Sequence, residues 1–337
     1  MKLPRGVKRG QLLKALDRMQ GRRVVVLGDF VLDEYLYGRT SRISREAPVL
    51  VVQGEHSEYR LGGAANVAHN IAVLGGTVSA VSLIGKDEAG ERLVTLSRAA
   101  GIDTHGLLEV AGRATPHKTR VLAGGLHTGR QQMLRLDRGG GPKKLVRAGR
   151  KLDEAIGYTA GQARAFALSD YGLGSVTPER LARVRRLARG RPVCGDSRYA
   201  LGSFRGLALL TPNEPEAEAV LGVRIEDDAR ARQAGEKLRA RLRSDALLLK
   251  RGHRGMMLFE KGRKAQTIEA FGREEVTDVT GAGDTVLAVV TLALAARVSR
   301  IAAASLANLA GGLVVLKAGA ATVSPRELAS AVRRATR

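Results

Sequence analysis

Tryptophan is absent from this chain, aromatic residues make up 3% of it, and cysteine occurs once, at Cys194. So few rings argue against a platform on which unpaired nucleic-acid bases stack. One cysteine excludes an internal disulfide framework and a cysteine-based zinc site, and it fits a reducing compartment. Cys194 sits in an apolar stretch and reads as buried filler, not as a nucleophile. No run approaches the roughly 18 consecutive apolar residues of a membrane-spanning helix. Leu12 to Met19 interleaves Lys, Asp and Arg with its apolar residues, which leaves no signal-peptide core. The expected location is therefore cytoplasmic. A G-x-x-x-x-G-K-[ST] loop is missing, as is a G-x-G-x-x-G turn after the first strand, which argues against Walker-type ATPases and dinucleotide enzymes. The six histidines show no metal-ligand spacing.

At 337 residues with 44% hydrophobic content, the chain has material for a full core in one large or two smaller α/β units. Its formal net charge is +23, from 56 Lys+Arg against 33 Asp+Glu. Such a field attracts polyanions. The arginines are nevertheless spread along helical stretches such as 180–189 and 230–243, with no dense tract. That pattern suits phosphorylated small substrates better than nucleic acid, which is not expected as a partner.

Strand-like runs alternate with helical ones. Residues 1–22 read as a basic amphipathic helix. Arg23 to Asp29 is an apolar run ending in Gly-Asp, the pattern of a buried first strand and its exit loop, with Asp33 expected in that loop. A carboxylate there lies where open α/β sheets bind ligands and accepts hydrogen bonds from sugar hydroxyls, or else satisfies local backbone. Tyr35 to Gln53 reads as short strands, restricted by Pro48. Leu61-Gly62-Gly63-Ala64-Ala65-Asn66 opens a small-residue helix; the glycines permit close approach of a ligand or simply tight packing, and Asn66 suits a polyol. Thr115 to Leu122 and Gln131 to Asp137 are two β-like runs joined through Gly124-Gly125. Lys118, Arg120, Arg135 and Asp137 alternate along them and project from one face. With the Tyr35–Gln53 strands they form a small sheet expected to cover the ligand face. Residues 138–148 read as a linker back to the body.

Later strands end at Asp170, Asp196, Thr211 and Lys250, which sets a row of functional groups along one sheet edge. Asn213 and Glu216, three apart on an opening helix, suit a hydrated Mg²⁺ on phosphate oxygens, or equally a helix cap. Lys250, Gly252 and Gly255 form a strand-to-turn element for a nucleotide tail. Asp278-Val279-Thr280-Gly281-Ala282-Gly283-Asp284-Thr285 follows an expected strand edge, Glu275 to Asp278, and opens an apolar helix. Glycines at a helix N-terminus expose N–H groups to an anion, and Asp284 puts a base beside them. That pairing suits phosphoryl transfer to a hydroxyl, with a simple helix cap as the other reading.

Gly62-Gly63-x-x-Asn66 and D-x-x-G-A-G-D, in this order and far apart, resemble the two signatures of the ribokinase-like (PfkB) carbohydrate kinases over roughly Arg23 to Leu328. The resemblance implies a three-layer α/β sandwich, with a mostly parallel sheet and an inserted β lid. One domain would span 1–337, with lid segments near 34–56 and 113–137. It also implies ATP- and Mg²⁺-dependent phosphorylation of a sugar. Asp284 would be the base and the Gly281-Ala282-Gly283 backbone the anion hole. Asp33, Gly62, Gly63, Asn66 and Asp170 would face the sugar, and Asn213 and Glu216 the Mg²⁺–phosphate network. Lys250, Gly252, Gly255 and Asp278 would lie toward the nucleotide, with Asn308 on its adenine side. Asp29-x-x-Leu32-Asp33-x-Tyr35-x-Tyr37-Gly38, Thr40-Ser41-Arg42-Ile43-Ser44 and Ser169-Asp170-Tyr171-Gly172 resemble the branch acting on D-glycero-D-manno-heptose 7-phosphate. For that branch, Arg42, Lys118, Arg120 and Arg135 would meet the substrate phosphate, and the lid would mediate a homodimer. The chain departs from the branch pattern at Leu173 and at Asp196-Ser197-Arg198, where lysines are usual.

Overall fold

The structure is a computed structural model that describes every residue except 125–128, 141–145, 273–276 and 337. Thirteen strands are formed by the described residues: β1 (Arg23–Gly28), β2 (Phe30–Ile43), β3 (Leu50–Gly63), β4 (Thr77–Gly85), β5 (Asp103–Val110), β6 (His117–Gly124), β7 (Gln131–Arg138), β8 (Ala165–Asp170), β9 (Val193–Ser197), β10 (Leu209–Leu210), β11 (Ala246–Lys250), β12 (Met256–Glu260) and β13 (Gln266–Ile268). Nine make one sheet in the order β13-β12-β11-β10-β9-β8-β1-β4-β5. It is parallel from β11 to β5 and closes at the other edge with the antiparallel β12 and β13.

Apolar runs such as Val24-Val25-Val26-Leu27 make strands buried on both faces, because alternate side chains point to opposite sides. Val24 and Val26 join the core formed with the helices Ala64–Val73, Ala282–Ala295 and Arg300–Val314. Val25 and Leu27 join the opposite core, under the helices Val146–Ala160, Pro178–Ala188 and Asp228–Arg241. Two cores on one sheet make three layers. Cys194 lies in the first core, and burial pushes its thiol up to about 12, so it is inert filler.

The other four strands form a separate sheet, ordered β3-β2-β6-β7. Where short strands were expected, β2 and β3 are each 14 residues long and paired from Phe30↔Gly63 to Ile43↔Leu50. β2 is also paired with β6, so Asp33 belongs to an unbroken ladder and not to an exit loop. The turn glycine Gly125, Pro142 of the expected linker and Glu275 lie outside the described residues; Thr277 and Asp278, expected to end a strand edge, are in no strand, and a helix starts at Val146, inside the expected linker.

Candidate active site

The turn before the helix Ala282–Ala295 is held by its own first residue. Asp278 accepts from Thr280 N at 2.8 Å and from Gly319 N at 2.9 Å, which ties the turn to the loop 318–320. Gly281 has φ +79°, and a Cβ on it would lie 2.5 Å from Asn66 Nδ2, so only glycine fits. Ala282 N–H donates to Val279 O at 3.3 Å and Thr285 N–H to Gly281 O at 3.0 Å. Among the described residues, Gly283 and Asp284 have no acceptor for theirs. Of the expected Gly281-Ala282-Gly283 hole the turn spends the Ala282 donor on itself, while the N–H of Gly281, like those of Gly283 and Asp284, has no acceptor among the described residues.

Asp284 is buried, and both its oxygens are addressed: Tyr171 Oη donates to Oδ1 at 2.7 Å and Asn66 Nδ2 to Oδ2 at 3.2 Å. Burial raises its carboxyl to about 7, against the two hydrogen bonds; Asp196 adds to the rise and Lys250 opposes it. A carboxylate oxygen has a second lone-pair site, so Asp284 still has room for a proton. A carboxylate poised near neutrality beside free N–H groups has the make-up of a general base next to an anion site.

On one side of Asp284 opens a cavity of about 600 Å³. Gly283, Lys250, Gly252, Gly255 and Asn308 line it, with Val286, Met256 and Phe271 as apolar wall. Gly255 has φ +78° and would set a Cβ 2.1 Å from Ile268 O, so glycine lets the β11–β12 turn close against β13. Lys250 Nζ lies 2.9 Å from Asp196 Oδ2 and 3.2 Å from where a Cβ on Gly283 would stand, so it reaches the turn backbone. Burial works against the Lys250 charge, but Asp196 and Glu216 outweigh it and raise the ammonium's pKa. Asn308 donates its amide to Glu269 O at 2.8 Å, which fixes it at the cavity wall.

Asn213 caps the helix Glu214–Leu221: its Oδ1 accepts from Glu216 N at 2.8 Å, and Glu216 Oε2 accepts from Asn213 N at 2.9 Å. The cap, left open by the sequence, is thus present. Glu216 also belongs to a charged cluster, since burial first and Asp196 second raise its carboxyl. Asp196 Oδ1 is buried with no hydrogen-bond partner. Two neighbouring carboxylates, one with an orphaned oxygen, fit a hydrated Mg²⁺ that takes few protein ligands. Among the described residues no group of three or more His, Cys, Asp or Glu is placed to hold a metal alone.

On the other side of Asp284 lies the small sheet. Asp33 is buried on β2, and Arg120 Nη1 donates to its Oδ1 at 2.7 Å. Burial raises the Asp33 carboxyl, and Arg120 offsets that. A Cβ on Gly62 would lie 2.3 Å from Asp33 Oδ2, so Gly62 makes the room Asp33 occupies. Gly63, at φ +55°, turns β3 into the helix that carries Asn66. Tyr35 Oη accepts from Ala320 N at 3.0 Å and Arg60 Nη1 donates to Ala318 O at 2.6 Å. The sheet thus rests on the loop that Asp278 grips, as a lid over the turn.

The chain matches the model of the pfkB family carbohydrate kinases over residues 22–131 and 199–327. It belongs to that family. Among curated relatives it is 44% identical to the bifunctional protein HldE of Geobacter metallireducens over 310 residues, 90% of this chain and 61% of that one. It is likewise 44% identical to the HldE of Methylococcus capsulatus over 318 residues, 92% of this chain and 64% of that one. The chain thus spans about three fifths of the length of these relatives. Its fold is that of Escherichia coli phosphofructokinase-2 in complex with substrates and products (TM-score 0.75, 19% identity, 94% of this chain and 100% of that one). Arabidopsis thaliana ribokinase complexed with ribose and ATP is similar (TM-score 0.71, 20% identity, 93% and 99%). The three-layer sandwich with a second small sheet is therefore the ribokinase-like fold, and the chain is a sugar kinase.

In this pfkB kinase the register sets Lys118 and Arg120 opposite Asp33 and Tyr35, and Asp137 and Arg135 opposite them in turn. The face read from the alternation is real. Lys118 Nζ lies 2.9 Å from Asp137, and Arg135 grips the same carboxylate at 2.9 and 3.1 Å. Arg42 is not brought to Asp33: it lies nine residues further along β2, past irregularities at Tyr37/Gly38 and Thr40/Arg42, and is exposed. Asp170 points elsewhere too. It accepts from Ser197 Oγ at 2.6 Å and Gly172 N at 3.0 Å, and so braces β8 to β9.

Three residues absent from the expected site are central to it. Tyr171 donates to Asp284, Asp196 pairs with Lys250, and Asp29 accepts from Tyr171, Leu173 and Ser175 N–H at 2.9 Å each. All three stand at or just past the C-terminal ends of β1, β8 and β9, where the row of strand ends was the available signal. Leu173, in place of a branch lysine, is held by Asp29 at its N–H and by Arg113 at its carbonyl.

Proposed function

We propose that this kinase transfers the γ-phosphoryl group of ATP to the anomeric hydroxyl of D-glycero-D-manno-heptose 7-phosphate, giving the 1,7-bisphosphate. The observation that carries this reading is Asp284, a buried carboxylate poised near 7 between the large cavity and the lid face. Asp284 takes the hydroxyl proton as the oxygen attacks, and the Gly283 and Asp284 N–H groups, with Lys250, meet the charge on the phosphate oxygens. Asp196 and Glu216 would hold Mg²⁺, which neutralises phosphate charge when bound. Asp33 and Asn66 orient the sugar, and the closed lid keeps water from the phosphoryl group. The identity to HldE relatives favours a heptose phosphate, as does the lid face carrying Lys118, Arg120 and Arg135.

The chain is read as one catalytic domain of the cytoplasm, working as a homodimer joined through the lid. The lid exposes Ile43, Leu50, Met133, Leu134 and Leu136, an apolar set suited to a second copy. Among the described residues no helix is long and apolar enough to cross a membrane.

The test is ADP release with ATP and Mg²⁺ against heptose 7-phosphate, sedoheptulose 7-phosphate, fructose 6-phosphate, fructose and ribose. Turnover confined to the heptose phosphate is expected. Turnover of a neutral sugar would remove the heptose assignment while keeping the Asp284 chemistry.

A further inference from the structure

We propose that Tyr171 is the positioning residue for the base, fixing the Asp284 carboxylate through its hydroxyl so that the free lone pair on that group faces the sugar oxygen. The inference rests on the reading of Asp284 as base. Tyr171 lies in residues 132–198, between the two segments that match the family model, so the family pattern does not assign it.

Its placement is built from the first strand outward. Asp29, the residue after β1, collects three backbone N–H groups of the segment 171–175, one of them Tyr171's own. Asp170, one residue earlier, ties the same segment to β9 through Ser197. With the backbone held at both neighbours, the ring runs over Gly63, whose absent side chain would stand 3.5 Å from Tyr171 Cε2. That course ends with the hydroxyl 2.7 Å from Asp284 Oδ1. Asn66 holds Oδ2 from the opposite side, and its own Oδ1 is occupied by Asn70 Nδ2 at 3.0 Å. The carboxylate is therefore clamped between two donors from different layers.

The direction of donation is settled by chemistry. Burial, then the neighbouring Asp284, holds the Tyr171 phenol protonated far above assay pH, so it gives its proton to the hydrogen bond. A donor on a carboxylate favours the ionised form that a base requires. The other groups acting on Asp284 are Asp196 on β9, which opposes ionisation, and Lys250 on β11, which favours it.

The experiment compares pH profiles of kcat/KM for wild type, Tyr171→Phe, Asp284→Asn and the double variant, by ADP release. Removing one hydrogen bond to a charged group moves the acidic limb of Tyr171→Phe upward by about 1–2 pH units. KM for ATP is expected to stay within about twofold. In the Asp284→Asn background the same change alters the residual rate by less than about twofold, because Tyr171 acts through Asp284. Trifluorotyrosine at position 171 keeps the ring and strengthens the donor, so its limb moves downward. Asp284→Asn with near wild-type turnover would overturn the base reading and this inference together. An inactive Asp284→Asn beside limbs that do not move in either Tyr171 variant would overturn this inference alone.

Discussion

The two sheets of this kinase are stabilised by different physics. β8, in the nine-stranded sheet, is buried at every position, whereas β7, in the lid, is exposed at every position. The first is held by apolar packing on both faces, and its strand ends carry Tyr171, Asp196 and Lys250 toward Asp284. The lid enters the first core through Phe30, Leu32 and Leu61 at the base of β2 and β3, and beyond them rests on its ladder and on charged pairs, from the buried Arg120–Asp33 to the exposed Arg135–Asp137. On the proposed reading, chemistry gathers at the strand ends of the large sheet and the helix Ala282–Ala295, and sugar recognition on the small sheet.

The sharpest way to break this division is Asp284→Asn, expected to lower kcat by about 10²–10⁴-fold with the fold intact. Turnover near the wild-type rate would end the base assignment. Lys250→Met follows: it strips the cation from Asp196 and Glu216, costs about 3 kcal/mol of stability and lowers kcat by about a hundredfold. Denaturant melts beside ADP release separate the two effects. Arg120→Ala, in the lid, leaves Asp33 buried and unpaired; KM for the sugar phosphate rises tenfold or more, roughly, while KM for ATP holds. Arg135→Ala is milder. Its pair is half exposed, so stability changes by less than about 1 kcal/mol, yet KM for the sugar phosphate rises more than KM for ATP. Equal effects on both would remove Arg135 from the phosphate grip.

The pH dependence sharpens the same contrast. A base with its pKa raised to about 7 makes kcat/KM climb as pH rises through 7. For stability the sign reverses. A carboxyl raised by folding stabilises the fold below its unfolded value near 4, and that stability is lost as pH rises through about 7. The Tm of Asp284→Asn relative to wild type is therefore more favourable at pH 8 than at pH 5. A pH-independent difference would contradict a raised Asp284.

Local pattern made most of the α/β body legible. The apolar run from Arg23 gave β1, and the ends of β8, β9 and β11 lie at or within one residue of Asp170, Asp196 and Lys250; the GAGD turn with its helix lies where the glycines put it. The period of two also placed Lys118, Arg120, Arg135 and Asp137 on one face. What escaped depends on pairing across the chain. The length of β2 comes from partners on both sides, and it carries Asp33 into a strand and Arg42 nine residues beyond it. Tyr171 reaches Asp284 across 113 residues, an approach no local pattern encodes. Asp170 and Asp196 are both strand-end carboxylates, and only the partners of each decide that one braces the fold while the other faces Lys250.

The most direct test of the account is ³¹P NMR of the product formed from ATP and D-glycero-D-manno-heptose 7-phosphate by wild type and by Asp284→Asn. A second phosphate on the anomeric oxygen with wild type, and almost none with the variant, is the predicted result. A new phosphate on another hydroxyl would contradict the proposed reaction, and equal product from both proteins would contradict Asp284 as the base.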